Sequence, residues 1–248
     1  MPKLDLVTLR CLDPQAQRDF YCSKLGMRDF GDFIVGYDSE REAKLKFVPC
    51  GSAYQPQPND LYWKIALAVP NIDLAYRQLR DHGVEVGQPH QFQDIGYLAH
   101  LKDPEGYTIE LIDHWFEGQR PASDPDQSLF GGGAHFNLLT LRASDMQPVD
   151  GLCKKLGMAH IVVQPVTTHG FTLHFYSFAS KEPPNPDLQS IENRPWLYQR
   201  PETVLEIQHV SSLKEPRPLA DDEAGYLSAS IAGLDVVPTP NLLNLGSI

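Results

Sequence analysis

No uninterrupted apolar stretch in this chain approaches the roughly 20 residues that a helical membrane span requires. Dense Lys/Arg runs are missing too. The 21 basic residues are outnumbered by 32 acidic ones, which gives a net charge of −11 and a pI near 5.2. That balance argues against a nucleic-acid partner, because phosphate-backbone binding needs clustered cations. Cysteine is scarce: Cys11, Cys22, Cys50 and Cys153 share no CxxC or other metal-type spacing, so reduced, partly buried thiols are expected. The opening residues Met1-Pro2-Lys3-Leu4-Asp5 hold no apolar signal core. A soluble cytoplasmic protein with no nucleic-acid and no membrane partner is the expectation. What is present is an ordinary globular composition, 42% hydrophobic and 21% charged over 248 residues, enough for a sizeable core.

An internal repeat organises the chain. Thr8-Leu9-Arg10 recurs as Thr140-Leu141-Arg142, an offset of 132, and Leu25-Gly26-Met27 recurs as Leu156-Gly157-Met158, an offset of 131. In the first copy, Leu4, Leu6 and Thr8 alternate with Asp5, Val7 and Leu9 as in a short strand. Asp13-Pro14 supplies a helix cap and first turn; Ala16, Phe20, Tyr21 and Leu25 keep helical spacing, and Gly26 suits the left-handed stop. Strands are predicted over 28–36 and 43–48. A second unit follows, with a strand over 62–69, a helix over 72–82 and strands over 84–86, 97–102 and 107–112. Its Asp103-Pro104-Glu105-Gly106 reads as a tight turn, since Pro fixes one φ and Gly frees another. Residues 114–134 are rich in turn formers and read as a linker. A third unit spans about 135–212, with strands over 136–142, 159–164, 171–178 and 203–209. A fourth opens at 225–231 and then stops short.

The run over 4–27, Ala68-Val69-Pro70-Asn71, and DPEGYTIEL over 103–111 resemble the vicinal oxygen chelate superfamily. That superfamily includes glyoxalase I, extradiol dioxygenases and bleomycin-resistance-type binding proteins. The third unit, with FTLHFYSFAS over 171–180 and NRPWLYQRPETVLEIQH over 193–209, is most similar to glyoxalase I. The resemblance reaches from residue 4 to residue 236. It implies an α+β fold of repeated βαβββ modules forming cupped mixed sheets, here with the fourth module truncated. On that reading residues 1–113 form a first glyoxalase-like domain of two modules and 135–248 a second, made of one full and one degenerate module.

The resemblance also implies where a metal would be held: one side chain from the first strand and one Glu from the last strand of each paired module. Those positions fall on Leu6 and Lys46 in module one, Lys64 and Glu110 in module two, Leu138 and Glu206 in module three, and Ser228 in module four. The strand that would bear the final Glu is missing from the expected pattern. Only Glu110 and Glu206 keep a ligand's chemistry, and an ammonium at Lys64 would repel a divalent ion. No metal site is therefore expected. Pairing module one with two would gather Leu6, Lys46, Lys64 and Glu110. Pairing two with three would set Lys64 between Glu110 and Glu206, the better electrostatic solution, and both arrangements stand at this point.

Two readings of function compete. In one, the cup binds a small molecule without a metal, lined by aromatics such as Tyr62, Trp63, Phe171 and Tyr176. In the other, the chain is a glyoxalase I-like lyase of the lactoylglutathione lyase type, or another metal-dependent enzyme of the superfamily such as a dioxygenase. Zn, Ni, Fe or Mn, or glutathione, would then be required. Glu110 and Glu206 are the catalytic candidates, with a glutamate also the better base for a metal-independent enzyme. Arg142, and Arg10 by repeat, match the arginine that grips a glutathione carboxylate in glyoxalase I. Lys64, Trp196 and His174 are further substrate-binding candidates, and His100 is a second histidine with reach into the cup. Glu42 reads as a solvated charge. The unfinished fourth module leaves a sheet edge that suits a homodimer.

Overall fold

Alternation decides which face of each strand meets which core. The structure, a computed structural model, describes residues 2–37, 39–122, 124–178, 181–217, 219–235 and 241–247; residue 236, the last that the resemblance reaches, lies outside them. Module one runs β1 (Lys3–Cys11), α1 (Pro14–Leu25), β2 (Arg28–Asp29), β3 (Ile34–Gly36) and β4 (Lys44–Pro49). Module two runs β5 (Tyr62–Val69), α2 (Ile72–Asp81), β6 (His90–Phe92), β7 (Gly96–Lys102) and β8 (Thr108–Asp113). Module three runs β9 (His135–Ala143), α3 (Met146–Lys155), β10 (Ala159–Val166), β11 (Phe171–Ser177), α4 (Asn193–Tyr198) and β12 (Val204–His209). The fourth keeps β13 (Gly225–Ala232) and β14 (Leu245–Ser247). This is an α+β fold of two curled mixed sheets, and no helix is long and apolar enough to cross a membrane.

The modules pair in swapped fashion. An eight-stranded sheet runs β10-β11-β12-β9-β5-β8-β7-β6, joining modules two and three, and a six-stranded sheet runs β14-β13-β1-β4-β3-β2, joining modules one and four. The division into domains at 1–113 and 135–248 is thereby corrected, since each sheet takes strands from both sides of 114–134. The physical reason lies in the edges: β5 and β9 bond antiparallel to each other while β1 bonds to β13. The segment 114–134 is anchored rather than slack. Buried Asp113 accepts from the amides of Ile72 and Trp115 and from Arg120 Nε. Gly131, at φ +57, lies so close to Val69 that an added Cβ would meet its side chain at 2.6 Å.

Ile65, Leu67, Leu139, Leu141, Leu205 and Ile207 on one face of the large sheet join Leu9, Leu45, Phe47, Ala229 and Ile231 of the small sheet in one core. The opposite face of the large sheet has a second core, with Ala66, Ala68, Leu98, Ile112, Leu138, Leu173, Phe175 and Val204. Local signals act as their chemistry requires. Asp13 and Asn71 cap α1 and α2 by accepting from Ala16 N and Leu74 N, and Gly26 ends α1 at φ 70. Buried Asp103 accepts from the amides of Glu105, Gly106 and Tyr107 in its turn, and from Gln17 and Tyr21 of α1. Burial raises its carboxyl to about 6.

Several expectations are corrected. The stretch 28–36 is a hairpin, turned by the positive φ of Gly31, Asp32 and Phe33. Residues 84–86 form no strand; Val86 makes a lone bridge to Leu101. The missing final strand of module four exists as β14, parallel to β13, with Gly246 opposite Ser230. Glu42 is buried, not solvated, because its carboxylate accepts the amide of Phe136 at 2.7 Å; burial raises its proton affinity.

Candidate functional site

The second core does not fill its cup. A cavity of about 290 Å³ remains, walled by Trp63, Phe92, Ile95, Leu98, Phe171 and Leu173. The middle strands β12-β9-β5-β8 form its floor, and period-two alternation sends one polar group from each strand onto it. Lys64 comes from β5, Glu110 from β8, Thr140 from β9 and Glu206 from β12. Lys64 Nζ lies 2.9 Å from Glu110 Oε1, 2.8 Å from Glu206 Oε2 and 3.2 Å from Thr140 Oγ1. Thr140 donates its hydroxyl to Glu206 Oε2. His100 Nε2 lies 3.1 Å from Glu110 Oε2. The three charged groups are sealed from solvent, with exposures of 2% for Lys64, 6% for Glu110 and 1% for Glu206.

Two carboxylates share one ammonium, so their titrations are opposed. Burial pushes Glu110 up, but the Lys64 charge, followed by the His100 hydrogen bond, outweighs it and holds the carboxyl at about 2. Burial, reinforced by the Glu110 charge, raises Glu206 despite Lys64. For Lys64 itself burial lowers the proton affinity, yet the two carboxylates prevail and the net direction is upward. This lysine stays charged and is a poor base. Glu206 is the group of the cluster with proton affinity above the ordinary carboxylate range.

The remaining candidates lie elsewhere. Arg142 is not among the residues lining the cavity. Its guanidinium is 5.9 Å from the Trp63 ring, donating to Gln208 Oε1 and to the carbonyls of Asp60 and Tyr62. Arg10 lies on β1 of the six-stranded sheet and donates to the carbonyl of Ala220. Trp196 packs under Arg200, 4.2 Å from ring to guanidinium. It lines a separate hollow of about 610 Å³ that shares no residue with the cup. His174 is corrected as well: Phe171 and Leu173 hold the cavity face of β11, so His174 points the other way, 3.3 Å from His160 Nε2. Tyr62 and Tyr176 also miss the cavity and belong to the first core. Leu6, Lys46 and Ser228 belong to the small sheet, where Lys46 pairs with exposed Asp32 at 2.5 Å.

Sequence reasoning missed three contributors. Thr140 was hidden because threonine is unremarkable on a strand. Gln164 and Tyr198 line the cavity and hydrogen-bond each other at 3.1 Å. Tyr198 arrives on the short helix α4, and its hydroxyl donates to the carbonyl of Ile95 at 2.9 Å. Buried Arg194 of the same helix donates to the carbonyl of Asp94, which fastens α4 as a plug beside the cup.

A divalent metal does not fit this floor. The ammonium occupies the space between the two carboxylates, and Leu138 stands at the remaining position with no donor atom. Among the described residues no group of three or more His, Cys, Asp or Glu is placed to hold a metal ion.

Residues 3–111 match the family model described as the Glyoxalase/Bleomycin resistance protein/Dioxygenase superfamily. That match takes in modules one and two, and this part of the chain is similar to the superfamily. Its fold is similar to that of glyoxalase I from Zea mays, with a TM-score of 0.63 at 17% identity over 94% of this chain and 74% of that one. A point variant of the same enzyme gives 0.64 at 17% over 93% and 75%. A candidate dioxygenase from Bacillus subtilis gives 0.55 at 16% over 94% and 70%. No curated protein matches the chain in sequence. At such identities the likeness carries the fold alone and not the chemistry.

Proposed function

We propose that this protein binds a small molecule in the cup of its eight-stranded sheet without a metal ion. The observation that carries the reading is the Lys64 ammonium lying between Glu110 and Glu206, at the positions that the family resemblance assigns to metal ligands. A fixed internal cation neutralises the carboxylates, and an apolar cavity with a few converging polar groups is left above it. Such a cup suits sequestration or transport of a ligand better than Lewis-acid chemistry, because the polarising ion would have to displace a buried, triply hydrogen-bonded ammonium.

The test is to equilibrate the protein with Zn, Ni, Fe and Mn, dialyse, and measure retained metal by elemental analysis, alongside turnover of the methylglyoxal–glutathione hemithioacetal. Sub-stoichiometric metal and no turnover are expected. Near one ion per chain together with hemithioacetal isomerisation would overturn the reading in favour of the lyase.

A further inference from the structure

The hydrogen-bond inventory of the floor limits what can sit on it. An ammonium has three hydrogens, and Glu110, Thr140 and Glu206 take all three of Lys64's. The Thr140 hydroxyl hydrogen is committed to Glu206 Oε2. Both oxygens of Glu110 are engaged, Oε1 by Lys64 and Oε2 by His100. Every hydrogen bond to the Glu206 carboxylate among the described residues ends on Oε2. That leaves Oε1 of a side chain lining the cavity as the acceptor without a donor. The cluster also holds two carboxylates against one ammonium, a surplus of one negative charge in an apolar enclosure. Arg142, the cation beyond Trp63, is held by Gln208 and two carbonyls and does not line the cavity.

We infer that the ligand is a flat apolar molecule of one or two rings that ends in a cationic or neutral hydrogen-bond donor directed at Glu206 Oε1, a protonated amine above all. The rings would lie among Trp63, Phe92, Phe171 and Leu138, in a space of about 290 Å³. A carboxylate or phosphate end is rejected, because it would meet a free acceptor and like charge where no donor hydrogen of the cluster is left. This rests on the cup being the binding site, and it adds the polarity of the ligand.

The experiment is isothermal titration of the wild-type chain at neutral pH with three probes sharing one ring system: naphthylmethylamine, naphthylmethanol and naphthoate. The amine is expected to bind most tightly, the alcohol less so and the carboxylate about 100-fold more weakly than the amine. Quenching of the tryptophan emission, to which Trp63 contributes as the tryptophan that lines the cup, should give the same ranking. Glu206→Gln should level the series, and Leu138→Phe should remove binding by filling the cavity. Naphthoate binding as tightly as the amine would overturn the inferred polarity while leaving the cup as a binding site. Failure of all three probes to bind would overturn both.

Discussion

In the eight-stranded sheet Thr140 of β9 stands in register with Glu206 of β12 and Lys64 of β5. In the six-stranded sheet Thr8 of β1 stands in the same register with Lys46 of β4 and Ser228 of β13. The large sheet carries a second core on its concave face, closed by α4 and by the long hairpins of two full modules. Among the described residues the small sheet has the first and last strands of its second module. The cluster built on its open face includes no second core, and its lysine pairs with Asp32, 76% exposed, at the surface. Burial is therefore what separates the two. The same strand plan yields a charged cluster under a cavity where two full modules enclose it, and a wet surface where they do not.

The sharpest way to break this contrast is to remove the two lysines in turn. Lys64→Met leaves two carboxylates buried against each other, and a loss of about 3–5 kcal/mol is expected from denaturant unfolding. Lys46→Met removes an exposed pair and should cost no more than about 1 kcal/mol. Adding Glu110→Gln and Glu206→Gln to Lys64→Met should recover much of the loss, since the cost comes from unpaired charge. Equal losses at Lys64 and Lys46 would show that the large cup is as hydrated as the small face.

The pH dependence of stability sharpens the comparison next. Glu110 is held at about 2 in the folded chain, below its ordinary 4.5. Its stabilisation is full above pH 4.5 and is lost as pH falls toward 2. Glu206 moves in the opposite direction. The folded state holds its proton more firmly, so this group's contribution is most favourable at low pH and declines as pH rises above the ordinary carboxylate range. Unfolding curves of the wild type against Glu110→Gln should diverge with rising pH. Those against Glu206→Gln should diverge in the other sense. If the two variants give parallel curves, the carboxylates do not share the Lys64 charge unequally.

A smaller effect separates Leu138 from Leu6, which hold the same place in their repeats. Leu138→Ala removes a buried side chain that already borders a cavity, so about 2–3 kcal/mol is expected, with a larger cup. Leu6 is half-buried on the open face, and Leu6→Ala should cost about 1 kcal/mol. Thermal unfolding of both variants checks this, and a cost at Leu6 equal to that at Leu138 would imply that something covers the small sheet.

Much of this arrangement was legible before any coordinates. The 132-residue offset between Thr8 and Thr140 and the period-two alternation fix which residues share a face. The meeting of Lys64 with Glu110 and Glu206 was one of two pairings that the family resemblance left open, and charge balance favoured it. Other features depended on information that spacing does not hold. His174 was assigned to the wrong side because β11 offers apolar residues on both faces, and only its pairing with β12 sets the parity. The turn within 28–36 needs positive φ at Asp32 and Phe33, residue types that rarely announce it. Helix α4 lacks a side-chain cap at Glu192, so neither the plug nor Tyr198 had a local signal. Strand β14 is three residues long and includes Gly246, too short and too weak in strand formers to be seen.

The finest test concerns the two threonines, since they differ in surroundings and not in kind. Thr140→Val keeps the shape but takes away a donor to Glu206 Oε2 and an acceptor for Lys64. In a sealed cluster the cost should be about 1–2 kcal/mol, and the affinity of Glu206 for a proton should rise further, because that hydrogen bond favours the ionised form. Thr8 is half-buried on the open sheet, where water replaces a lost partner, and Thr8→Val should lie within about 0.5 kcal/mol of the wild type. Chemical unfolding gives both numbers. A carboxyl resonance of Glu206 followed through a pH titration gives the shift, which a purely steric effect of valine would leave unmoved. If Thr140→Val is as silent as Thr8→Val, the floor of the large cup is solvated after all, and the contrast between the sheets is one of shape alone.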